Sequence, residues 1–93
     1  MAVSQFVAGM QNVERAIIDG VRKAGLHIDA KNVRWQHGLS FLPIPEAITL
    51  EVATNGHKFE ATLSRQQLED SWERIDRGDV HAMVDQAITQ LVA

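Results

Sequence analysis

"ITLEVATNGHKFEATLSRQQLED", residues Ile48 to Asp70, carries a strand, a turn, a second strand and a helix start in one run. Asn55-Gly56 lies between two alternating stretches, the pattern of a two-residue type I′ hairpin turn. Counting outward from that turn pairs Thr54 with His57, Ala53 with Lys58, Val52 with Phe59 and Glu51 with Glu60. It then pairs Leu50 with Ala61, Thr49 with Thr62, and Ile48 with Leu63. In this register Ile48, Leu50, Val52, Phe59, Ala61 and Leu63 share one face. Thr49, Glu51, Ala53, Lys58, Glu60 and Thr62 share the other. The spacing therefore predicts a dry face, a wet face, and two carboxylates side by side on the wet one.

Downstream, Ser64 with Gln67 three places on forms a capping box, which satisfies free amides at both ends of a helix's first turn. Leu68, Trp72 and Ile75 form the apolar stripe of that helix, with Glu69, Asp70, Glu73 and Arg74 outside. Gly78 ends it after Arg77, and Asp79 caps a last helix bearing Val80, Met83, Val84, Ala87, Ile88 and Leu91. Upstream, Ser4 to Ala24 has apolar residues at Phe6, Met10, Val13, Ile17, Val21 and Ala24, steps of three and four that mark one helix stripe. Ser4 is placed to cap it, Arg22 and Lys23 suit the negative end of its dipole, and Gly25 stops it. Gly9 and Gly20 lie inside this helix and weaken it by about 1 kcal/mol each relative to Ala unless the space is needed.

Between these segments, "NVRWQH" (Asn32 to His37) alternates as a short strand with Val33 and Trp35 inward. In "GLSFLPIPE" two prolines exclude a helix interior and a central strand. Leu39, Phe41, Leu42 and Ile44 are nonetheless apolar. They are expected to pack on the core, and they are also the residues that would bind a partner if exposed. The expected fold is α+β, a three-stranded antiparallel meander with helices on one face, in the order α-β-β-β-α-α. Residues 1–93 are expected to form one domain.

Composition bounds function. Apolar residues make up 45% and charged residues 23%, values of a globular chain rather than a disordered one. There is no cysteine, which excludes disulfides, thiolate metal sites and a cysteine nucleophile. The net charge of −3 gives no general attraction to phosphate backbones or anionic membranes. No apolar run approaches the ~20 residues of a membrane span. The opening "MAVSQFVAGMQNVERAI" lacks a basic start and an uninterrupted apolar stretch, so a signal peptide is not expected. A cytoplasmic location is the expectation.

No catalytic, metal or cofactor site is expected. Glu51 and Glu60 would have to work as a general acid and base to make a small hydrolase. That chemistry needs a cleft that desolvates one carboxyl, which an open sheet face does not provide. His27, His37, His57 and His81 are scattered, and none forms an HxxxH pair or a Cys/His cluster. No nucleophile elbow, P-loop or GxGxxG occurs. With five aromatic residues in all, a base-stacking platform is not expected.

The order helix, three antiparallel strands, helix resembles the double-stranded-RNA-binding domain in topology. That family grips phosphates with a lysine-rich start to the helix after the sheet. Here the same helix begins "SRQQLEDSWER", with Arg65 set against Glu69, Asp70 and Glu73, so nucleic acid is not the expected partner. "EVATNGHKFEATLSRQQLED", followed by "HAMVDQAITQLV", resembles a family of short bacterial proteins of unknown function, over Glu46 to Val92. That resemblance implies a small cytoplasmic bacterial protein and assigns no catalytic residue. The expectation is a non-enzymatic interaction or regulatory module. It would bind a protein partner or a second copy through an unpaired sheet edge or through Leu39, Phe41, Leu42 and Ile44. RNA binding and Glu-pair hydrolysis are the alternatives.

Overall fold

A computed structural model describes residues 2–36, 46–54, 56–71 and 78–93, with side chains from Gln5 onward. Leu39, Phe41, Leu42, Ile44, His37, Asn55, Trp72 and Ile75 lie outside the described residues. The elements are α1 (Ala2–Lys23), β1 (Val33–Trp35), β2 (Ala47–Thr54), β3 (His57–Ser64), α2 (Arg65–Asp70) and α3 (Gly78–Leu91), with one 3₁₀ turn at Ala30–Asn32. The strands form one antiparallel sheet in the order β1-β2-β3. This is the expected α-β-β-β-α-α meander.

The hairpin has the register counted from the turn, from Thr54↔His57 to Ile48↔Leu63, and extends it by Ala47↔Ser64. Gly56 sits at φ +79°, the left-handed backbone that a type I′ turn requires of its second residue. Ile48, Leu50, Val52, Phe59 and Leu63 are buried, and Ala61 is half-buried beside them. Phe6, Met10, Val13, Ile17 and Val21 of α1 close over that face, with Leu68 of α2 and Val80, Val84, Ala87 and Leu91 of α3.

Several boundaries differ from expectation, and α2 ends at Asp70 with Ser71 as its C-cap instead of running on to Arg77. α1 begins at Ala2, so Ser4 lies within its first turn instead of capping it. The first strand is shorter than Asn32 to His37: Asn32 belongs to the 3₁₀ turn, because Asp29 and Asn32 form a reciprocal capping box there. α3 begins at Gly78, and Asp79 is the acidic residue of its first turn.

The end of α1 is a Schellman motif. Leu26 N–H donates to Val21 O at 3.3 Å and Gly25 N–H to Arg22 O at 2.9 Å, with Gly25 at φ +91°. Arg22 Nε then donates to Ile28 O at 2.9 Å and holds the next segment down, with the Ile28 side chain fully buried. Ser64 caps α2 as the sequence indicates: its Oγ accepts from Gln67 N–H at 3.1 Å, and Gln67 Oε1 accepts from Ser64 N–H at 2.8 Å.

The interior glycines of α1 are contact points. A Cβ on Gly9 would lie 1.7 Å from the Leu68 carbonyl oxygen, and one on Gly20 would lie 2.2 Å from Ile88 Cδ1. At the first, helix backbone meets helix backbone, and Asn12 Nδ2 donates to Ser71 O at 2.9 Å across the same junction. Ser71 is buried, and its Oγ donates back to Gln67 O at 2.7 Å.

Candidate functional site

The outer face of the sheet collects the polar side chains that point away from the core. β1 pairs with β2 so that Arg34 stands opposite Glu51, and β2 pairs with β3 so that Glu51 stands opposite Glu60. One row across the sheet therefore reads Arg34, Glu51, Glu60. Lys58, one position diagonal to this row, is shared: its Nζ lies 3.5 Å from Glu51 Oε2 and 3.8 Å from Glu60 Oε2. Opposed like charges on a sheet are destabilising by a few tenths of a kcal/mol to about 1 kcal/mol. An exposed ion pair returns a similar amount. Lys58 lies nearer Glu51 than Glu60, its direct neighbour on β2 being the small Ala53. Thr49 and Thr62 complete the face with a 3.1 Å hydroxyl contact.

A recess of about 420 Å³ lies beside this row, lined among the described residues by Arg34, Trp35, Gln36 and Glu51. The Glu51 side chain keeps one fifth of its surface exposed and that of Glu60 one half. The pair thus carries a shared ammonium on an accessible surface. General acid–base work needs one carboxyl desolvated and one ionised. Among the described residues, no three His, Asp or Glu side chains converge as metal ligands. His81 Nδ1 lies 3.5 Å from Asp85 Oδ2, and His27 Nε2 lies 3.9 Å from Asp29 Oδ2, which Lys31 Nζ also approaches at 3.9 Å. The start of α2 holds Arg65, whose guanidinium is 3.1 Å from Glu46.

The sheet also has a long free edge. Gln36 N–H donates to Thr49 O at 3.0 Å, and Asn32 Nδ2 donates to Ala53 O at 2.9 Å, so these β2 carbonyls turn toward β1. Carbonyls alternate along an antiparallel strand. Those of Ile48, Leu50 and Val52 therefore turn toward β3 and meet Leu63, Ala61 and Phe59. The intervening residues of β3, Lys58, Glu60 and Thr62, direct their N–H and C=O groups outward. Among the described residues no strand pairs with this edge, which is eight residues long. Sequence reasoning names an unpaired edge as a candidate surface without saying which strand supplies it. The order β1-β2-β3 gives two edge strands, the three-residue β1 and the eight-residue β3, and the longer is taken as the candidate.

None of the described helices is long and apolar enough to cross a membrane. No protein-family model, no curated protein and no solved structure matches the chain.

Proposed function

We propose that this protein is a non-enzymatic interaction module of the bacterial cytoplasm that takes up a protein partner by strand addition along β3. The observation that supports it is the eight-residue edge of β3, unpaired among the described residues, with the backbone groups of Lys58, Glu60 and Thr62 aimed outward. Such an edge offers a ready-made row of donors and acceptors to another chain, and alternate side chains add selectivity. The exposed Lys58 and Glu60 side chains would supply that selectivity.

The test is a comparison of the wild-type protein with Thr62→Pro. Proline removes an outward N–H of β3 and leaves the β2 side of the ladder intact. Affinity capture from native extract is expected to recover a stoichiometric protein with the wild type and to lose it with the variant. Recovery of nucleic acid alone, with duplex RNA binding that weakens at raised salt, would overturn the proposal in favour of an RNA-binding domain.

A further inference from the structure

We propose that the occupant of the β3 edge is a second copy of this chain, paired antiparallel with the two Phe59 residues at the two-fold axis. This inference rests on the strand-addition reading and names its partner.

In a two-fold antiparallel pair the same strand faces itself reversed, so the residue at the axis meets its own copy. The outward-facing backbone groups belong to Lys58, Glu60 and Thr62, so ladder bonds are made from these residues; centred on Phe59 they join Lys58 to Glu60 twice, and Thr62 falls opposite Gly56 at the end of the ladder. Centring on Lys58 or on Glu60 sets like charges directly opposite each other. Centring on Ala61 sets Glu60 against Thr62. Centring on Phe59 alone opposes unlike charges, and does so twice: each Lys58 faces Glu60 of the second copy.

The same register resolves the row of carboxylates. Within one copy the row runs Arg34, Glu51, Glu60 and stops at the edge of the sheet. The pairing continues it to Lys58 of the second copy, so that two carboxylates are flanked by two cations. Lys58 can keep its contact with Glu51 of its own chain, 3.5 Å away, while facing the new carboxylate. A charged edge by itself discourages sheet-to-sheet association. An edge that only repelled its copy would carry one sign. This one carries opposite signs two residues apart, the spacing that makes a strand complementary to its own reverse. On the inner face the register sets Phe59 at the axis in a non-hydrogen-bonded position, its side chain buried in the core of its own chain.

Sedimentation equilibrium across a concentration series, at low and high salt, tests the proposal. The wild type is expected to be a dimer whose dissociation constant rises with salt. Lys58→Glu and Glu60→Lys are each expected to raise that constant about tenfold or more, because each turns two attractive pairs into two repulsive ones. The double variant, which restores unlike pairs with the signs exchanged, is expected to recover the dimer. Thr62→Pro is expected to weaken it less than the reversals, because in this register the lost N–H faces Gly56 at the end of the ladder. Where a reversal fails to give a folded far-ultraviolet spectrum, Lys58→Gln and Glu60→Gln replace it, with weakening of several-fold expected. A dimer unmoved by the single reversals would overturn the proposal by locating the contact elsewhere. A wild type that stays monomeric at millimolar concentration, yet captures another protein that Thr62→Pro releases, would overturn the second copy and leave the interaction module standing. A monomer that captures nothing would overturn both.

Discussion

Gly9→Ala separates a helix's local preference from its packing. In an isolated helix the change is favourable by up to about 1 kcal/mol, because glycine loses more backbone freedom on ordering than alanine. Here the new Cβ would lie 1.7 Å from Leu68 O and 2.6 Å from Leu68 C, where real Cβ contacts stay beyond 3.0 Å. The obstacle is main chain of α2, and it cannot rotate away. α1 and α2 must part by more than an ångström. Overpacking of this kind destabilises by about 1–3 kcal/mol. Separation also breaks the Asn12–Ser71 hydrogen bond at the same junction, worth roughly 0.5–1.5 kcal/mol. After the helical gain is subtracted, a net loss of about 2 kcal/mol remains, or roughly 8–16 °C in Tm for a domain of this size. Gly20→Ala is the internal control. Its Cβ would meet Ile88 Cδ1 at 2.2 Å and Cγ1 at 2.7 Å, and both belong to a half-buried side chain able to change rotamer. Rotamer strain of about 0.5–1.5 kcal/mol set against the same helical gain leaves a change within about 1 kcal/mol of zero. Urea and thermal unfolding followed by circular dichroism measure both. A Gly9→Ala protein melting at or above the wild type, or a Gly20→Ala protein losing as much as Gly9→Ala, would refute the close approach of α1 to α2.

Ser64→Ala removes the hydroxyl that accepts from Gln67 N–H; an equilibrium urea titration is expected to show about 1 kcal/mol lost. Gly56→Ala places a side chain at φ +79° with nothing within 4 Å to clash, so the loss should be the backbone term alone, about 1–2 kcal/mol by the same titration. Glu60→Gln takes away the like charge opposite Glu51 and half of the Lys58 contacts; its thermal midpoint at low salt should stay within a few degrees of the wild type, because the two effects oppose each other. Asn12→Ala leaves the buried Ser71 carbonyl without its donor and should destabilise by about 1–3 kcal/mol, read from chemical unfolding.

The sheet was legible because its signals are local. Asn55-Gly56 sets the turn, period-two alternation sets the faces, and a slip of one residue would have exposed Leu50, Val52 and Phe59 together. The Ser64–Gln67 box was legible for the same reason, being complete within four residues. The α1–α2 junction was not. Nothing near Gly9 in the chain announces Leu68, and a helical glycine reads equally as tolerated surface or as a contact. The start of α1 at Ala2 eluded the cap rule because a serine is also accepted within a first turn. On the candidate surface, the opposition of Glu51 and Glu60 followed from the turn. The contribution of Arg34 depended on how β1 aligned with β2, and strands joined by a long connection leave that alignment open.

The bond from Asn12 to Ser71 spans 59 residues. On a ribosome adding about 5–20 residues each second, roughly 3–12 s separate the synthesis of its two ends. Until the hairpin of Ile48 to Leu63 is made, late in that interval, Phe6, Met10, Val13, Ile17 and Val21 have no sheet to lie against. α1 is thus made well before the sheet and the α2 backbone against which it is seated.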